Sequence, residues 1–172
     1  MKYFTPRLFA DLNSSDERVA DKAEREWEEG RTEYQEHVKQ IAAELPKSLR
    51  EFCRSTSLHD AIVESGEPLI DAVWLMSLAD SKRKRSWASL PVRRNGIRFW
   101  LHYADPVEPP EIIHPVESPV FRQDMVLWLY DEVDVVKKGV FSHSILLSNG
   151  DVLIFRFKDF ALSMEPIVVS AG

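Results

Sequence analysis

Four side chains are the candidates from which a polar site could be built: His59, Asp60, His143 and Arg156. His59 and Asp60 are neighbours, and a His-Asp pair can share a divalent cation only when both side chains point into one site. In a strand they point to opposite faces, which favours a turn-capping Asp60 and a backbone-bonded His59. His143 and Arg156 flank Asn149-Gly150. A two-residue type I′ turn there sets His143 opposite Arg156, Ser144 opposite Phe155 and Leu146 opposite Leu153. With His59 or His102 nearby, such a pair makes a pocket for an anion or carboxylate. A metal would need three or four ligands converging, and no spacing among the histidines forces that.

Asp131-Glu132-Val133-Asp134 is the densest acidic run on a strand pattern. Asp131 and Val133 share one face, Glu132 and Asp134 the other. Carboxylates two apart can bind a cation or act as acid and base, but a solvated strand edge that resists aggregation uses the same residues. Lys82 to Arg85, with Arg93 and Arg94, is the basic concentration, and Trp87 and Trp100 lie close enough to suggest a stacking surface. A net charge of −6 and a loop position favour a solvated turn. Pro106-Val107-Glu108-Pro109 is a minimal PxxP whose acidic neighbours favour a rigid crossover. No nucleophile elbow, phosphate loop or dinucleotide turn is present, so no catalytic residue, cofactor or metal is assigned.

The elements that must hold these residues divide the chain in two. Residues 1–56 form a helical part and 57–172 an antiparallel β part of one domain. Pro6 limits regular structure at the start, and Ser14-Ser15-Asp16-Glu17 reads as a capping box. A long amphipathic helix over about 15–45 follows, with Trp27, Gly30, Tyr34 and Val38 in its apolar stripe. Its length of about 45 Å exceeds what one small sheet covers, so part is expected to project or to pair with a second copy. Gly30 in its interior implies a bend or close packing. Pro46 stops the helix. Strands are expected at Leu58–Val63, at Asp71–Leu78, after the Asn95-Gly96 turn over Ile97–Tyr103, and three in succession over Met125–Phe160, with a strand or tail to Gly172. Pro91 makes its strand an edge or a bulged segment. Residues 105–119 hold half of the ten prolines and read as a crossover outside the sheet. The fold class is α+β, with an antiparallel sheet of about five to seven strands.

Composition sets the outer limits. The chain has 172 residues, 44% hydrophobic and 29% charged, as in soluble globular domains. Its acidic balance argues against nucleic acid and anionic membranes as partners. The single cysteine, Cys53, excludes an internal disulfide and fits a cytoplasmic, reducing location. The sequence shows neither a signal-peptide pattern nor an apolar run long enough to span a membrane.

Several segments together suggest a relationship. Met1-Lys2-Tyr3-Phe4-Thr5, Ser57-Leu58-His59-Asp60-Ala61, Tyr130-Asp131-Glu132-Val133, Phe141-Ser142-His143 and Gly150–Phe155 resemble an uncharacterised bacterial family known only as a domain of unknown function. That resemblance implies no activity and carries over no catalytic residues. A His-Asp step before an all-strand half is also similar, at the level of architecture, to small bacterial immunity proteins. His37, then His59-Asp60, then several later Asp residues also resemble the site pattern of metal-dependent HD-type phosphohydrolases, but those sites are helical and everything after Asp60 here reads as strand. The expectation is a non-enzymatic, cytoplasmic, protein-binding domain, immunity-like or stress-associated in kind, whose partner is another protein or a second copy meeting the N-terminal helix. The alternative is a small metal- or ligand-binding hydrolase using His59, Asp60 and His143.

Overall fold

The computed structural model describes residues 1–64, 86–115 and 125–167. The strand expected at Asp71–Leu78 and the basic loop Ser81–Arg85 lie outside the described residues. Three helices come first: α1 (Pro6–Leu12), α2 (Glu17–Ile41) and α3 (Lys47–Ser55). Pro6 starts α1 instead of limiting structure, because Pro suits the first helical turn and the Thr5 hydroxyl accepts from Leu8 N–H. The N-cap of α2 is Asp16, not a serine: its carboxylate accepts from Arg18 N–H at 2.9 Å. Gly30 answers to close packing, since a Cβ there would lie 3.2 Å from the Tyr3 carbonyl oxygen. The helix ends at Ile41, four residues before the expected Leu45, and Pro46 becomes the N-cap of α3.

The strands are β1 (Ala61–Val63), β2 (Trp87–Arg94), β3 (Ile97–Ala104), β4 (Glu111–Ile113), β5 (Leu127–Lys137), β6 (Val140–Leu147), β7 (Val152–Phe157) and β8 (Asp159–Pro166). They form one sheet in the order β4-β7-β6-β5-β1-β2-β3-β8, and every neighbouring pair is antiparallel. The α+β class therefore holds, with eight strands among the described residues where five to seven were expected. β4 is an edge strand inside the Pro-rich crossover: Glu111, Ile112 and Ile113 lie between prolines, keep their own N–H groups and pair with β7. Pro91 sits in a strand paired on both sides and not on an edge. Its carbonyl accepts from Glu64 N–H, so its nitrogen faces the same side, just past the end of β1, where no ladder bond is lost.

β7 and β8 are separated only by Lys158, although β7 lies near one end of the sheet and β8 at the other. The sheet must therefore curl until its ends approach. Lys158 N–H donates to Ala104 O, Val107 N–H donates to Arg156 O, and the Tyr103 ring stacks on Phe155 with centroids 4.0 Å apart. The inside of this near-closed barrel holds the main core, including Leu90, Leu101, Tyr103, Trp128, Ile145 and Phe157. α3 plugs it with Leu49 and Phe52, and the Ser48 hydroxyl donates to Phe160 O. Each large side chain buried there is worth about 1.5–3 kcal/mol. A second apolar cluster covers the outer face of β5, β6 and β7, where Phe4 and Trp27 pack on Leu146 and Ile154.

The two Asn-Gly turns differ. Asn95 and Gly96 both take positive φ and make the expected two-residue turn, with Arg94 paired to Ile97. At the other, only Gly150 has positive φ; Gly150 N–H donates to Leu147 O and Leu147 N–H to Asp151 O. Ser148-Asn149-Gly150 is thus a three-residue loop. The ladder moves by one residue from the expected register: His143 pairs with Phe155, Ser142 with Arg156, Ser144 with Ile154 and Ile145 with Leu153. Leu146 turns to the outer cluster, and Ser142 and Ser144 do not stand opposite phenylalanines.

Candidate functional site

The register decides where each polar side chain goes. His143 points into the barrel and is fully buried, with its ring against Phe52, Trp128 and Tyr103. Arg156 is on the outer face, bonded to Glu108 and Glu111 of the crossover and β4. His59 lies in the turn before β1, with its ring edge-on to Tyr130 and its Nδ1 2.9 Å from Asp60 Oδ2. Asp60 takes a left-handed backbone at φ 64° and donates its N–H to Trp128 O. The structure therefore pairs His59 with Asp60 but does not join either to His143 or Arg156. His143 is sealed inside the barrel, whereas His59 packs on Tyr130, which contributes to the outer cluster. Among the described residues no group of three or more His, Cys, Asp or Glu is arranged to hold a metal ion.

His143 instead joins two residues that the shifted register brings to it. Its Nε2 lies 3.1 Å from Asp131 Oδ2 and its Nδ1 2.9 Å from the Tyr103 hydroxyl. The Trp128 indole N–H donates to Asp131 Oδ1 at 3.1 Å. One hydrogen arrangement satisfies every atom: His143 Nε2–H donates to the carboxylate, and the Tyr103 hydroxyl donates to Nδ1. Asp131 is the outer end of this network and keeps 26% of its side chain exposed. Its charge is felt nearby. Burial first, then Asp131, pushes the Tyr103 and Tyr34 hydroxyls well above the ordinary tyrosine range. The same two causes push the Cys53 thiol up to about 12, so it is a packing group and not a nucleophile at neutral pH.

Glu132, next along β5, points the opposite way. Its carboxylate accepts the backbone N–H groups of Lys2, Tyr3 and Phe4, each at 2.7 Å, and only 8% of the residue is exposed. This bonding straps residues 2–4 across the sheet, with Phe4 against Trp27, Tyr34 and Tyr130. The acidic run is therefore not simply a solvated edge. Asp131 faces inward, Glu132 anchors the strap, and Asp134 meets His37 of α2 at 3.0 Å.

Asp131 lines a cleft of about 700 Å³ between α2, α3 and β5. Tyr34, Phe52, Leu58 and Leu129 give it apolar walls. Tyr34 also closes the free side of β5 by accepting Val133 N–H at 2.7 Å. Among the described residues the cleft's charged lining is four cations, Arg31, Lys39, Arg50 and Arg54, against one carboxylate, Asp131. Arg31 pairs with Glu28 and Lys39 with Glu36. Arg50 and Arg54, one helical turn apart on α3 and both exposed, form no ion pair among the described residues.

Tyr103, Trp128, Arg50 and Arg54 were not singled out as site residues from sequence. Trp128 three residues before Asp131 was the one local signal; the rest depends on the hairpin register and on the packing of α3. No helix among the described residues is long and apolar enough to cross a membrane. No protein-family model, curated protein or solved structure matches this chain.

Proposed function

We propose that this is a non-enzymatic binding domain whose α2–α3–β5 cleft takes an acidic and apolar segment of a partner protein. The observation that carries this reading is the mismatch between the cleft and the whole chain: a net charge of −6 overall, yet four cations to one carboxylate among the described residues that line the cleft. Two guanidinium groups that form no ion pair among the described residues suit the bidentate capture of carboxylates, while the partly exposed Tyr34, Val38 and Ala42 offer apolar surface to an anchor side chain. A neutral Cys53, and a His59 and Asp60 that do not meet His143, favour binding over hydrolysis. A cytoplasmic bacterial setting of an immunity-like or stress-associated kind accords with the single cysteine and with the resemblances noted above.

Selection of a random peptide-display library on the full chain, counter-selected on Arg50→Glu/Arg54→Glu, tests this directly. The expected product is peptides with Asp or Glu flanking an aromatic or aliphatic anchor, binding the double variant at least tenfold more weakly and losing affinity as salt rises. Enrichment of neutral or basic peptides, or of peptides indifferent to the double variant, overturns the reading. A concentration-dependent dimer that the double variant abolishes would identify the occupant as a second copy, replacing the partner protein.

A further inference from the structure

We infer that Asp131 selects the anchor side chain, and that the anchor is an aromatic ring carrying a neutral N–H donor: an indole. This inference rests on the cleft being the binding surface. Each carboxylate oxygen can accept two hydrogen bonds, and among the described residues Asp131 uses one on Oδ1 for Trp128 and one on Oδ2 for His143. The remaining capacity belongs to the 26% of the side chain left exposed, at the wall of the basic-rimmed cleft.

The carboxylate is also held still. Trp128 and His143 fix both oxygens, and Tyr103 fixes the far side of the imidazole from a fully buried position. An acceptor so fixed loses little entropy when a ligand donor arrives. A cationic anchor fits poorly, because it would enter past Arg31, Lys39, Arg50 and Arg54. A purely apolar anchor would cover Asp131 without replacing the water it loses. A neutral N–H on a flat ring satisfies the acceptor, packs against the partly exposed Tyr34, Val38 and Ala42, and brings no charge past the basic rim. Trp128 already makes this contact from the protein side.

The probes are indole and 1-methylindole, in which a methyl group replaces the donor hydrogen, titrated into the ¹⁵N-labelled full chain and followed by NMR. Both should shift amides around Tyr34, Cys53 and Leu58, with indole binding about tenfold more tightly, as a charge-assisted hydrogen bond implies. In Asp131→Asn that preference should fall below about threefold while 1-methylindole binds as before. Arg50→Glu/Arg54→Glu should leave both probes unchanged, since neither carries charge. Equal binding of the two probes to the wild type overturns the role of Asp131 without needing any variant to fold. A preference that survives in Asp131→Asn overturns it as well. If neither probe shifts the cleft amides, the aromatic anchor is wrong, and the peptide selection alone then decides the fate of the cleft.

Discussion

Asp131 and Glu132 are adjacent, chemically alike and on the same strand, yet their surroundings differ completely. Glu132 faces outward under the N-terminal strap and gives both oxygens to backbone N–H groups of residues 2–4. Asp131 faces inward, holds two ring N–H groups and still opens onto a cleft. A carboxylate ringed by backbone donors is a structural clamp, because every donor it holds would be left without a partner if it were removed. One that is fixed by side chains but partly exposed has acceptor capacity to spare. Unused, fixed capacity marks the residue to examine for recognition, more reliably than the residue type or a run of like charges.

The comparison breaks first at Glu132. Glu132→Ala leaves the buried N–H groups of Tyr3 and Phe4, and the part-buried one of Lys2, without an acceptor. A loss of about 3–5 kcal/mol is expected, with Glu132→Gln losing less because its carbonyl oxygen still accepts. Urea denaturation measures both. A Glu132→Ala midpoint equal to the wild type would show that the strap contributes nothing to stability.

The inner network is the next test. His143→Leu leaves the Tyr103 hydroxyl without its acceptor in a dry core and takes one donor from Asp131, which should cost about 2–3 kcal/mol. Adding Tyr103→Phe removes the orphaned hydroxyl, so the double variant should regain about 1 kcal/mol relative to His143→Leu. Additive or worsening effects in this cycle would mean that Tyr103 and His143 are not coupled.

The fold class was legible in the sequence because binary patterning and turn chemistry are local. The α2 stripe, the Asn95-Gly96 hairpin and the three successive strands β5–β7 all follow from period and dipeptide. The site was not legible, because it hung on a single residue of register. Asn-Gly fits a two-residue turn with both residues at positive φ, and it also fits a three-residue loop with only the glycine there. The second form places Asp151 where its backbone N–H meets Asn149 Oδ1 and its carboxylate meets the Asn149 amide and His114. Part of what stabilises that turn thus comes from His114, 37 positions away in sequence, which no local rule reads. One residue of slip then exchanges faces, moving His143 from beside Arg156 to Asp131 and Tyr103. The helix caps failed for a smaller reason: Ser14, Ser15 and Asp16 are all good caps, and their spacing alone does not choose among them.

β3 repeats the contrast between inside and outside, with Tyr103 in the core and His102 next to it on the opposite face. His102 bonds Ser89 at 2.8 Å and Ser163 at 3.0 Å, between the rings of Trp87 and Trp100. Partial burial holds its pKa below the usual 6.5. The folded protein therefore resists a proton that the unfolded chain accepts. The stability this represents is present in full above pH 6.5 and is lost as pH falls from 6.5 through the folded-state value. The effect is small, since the ring is only partly withdrawn from water. His102→Gln should narrow the difference in unfolding free energy between pH 7.5 and pH 5.5, while the same substitution should leave the indole preference of the cleft untouched. If the variant keeps the full acid sensitivity of the wild type, the titrating group lies elsewhere. If instead the indole preference moves, the two faces of the sheet are coupled through β3, and the division drawn between Asp131 and Glu132 fails there.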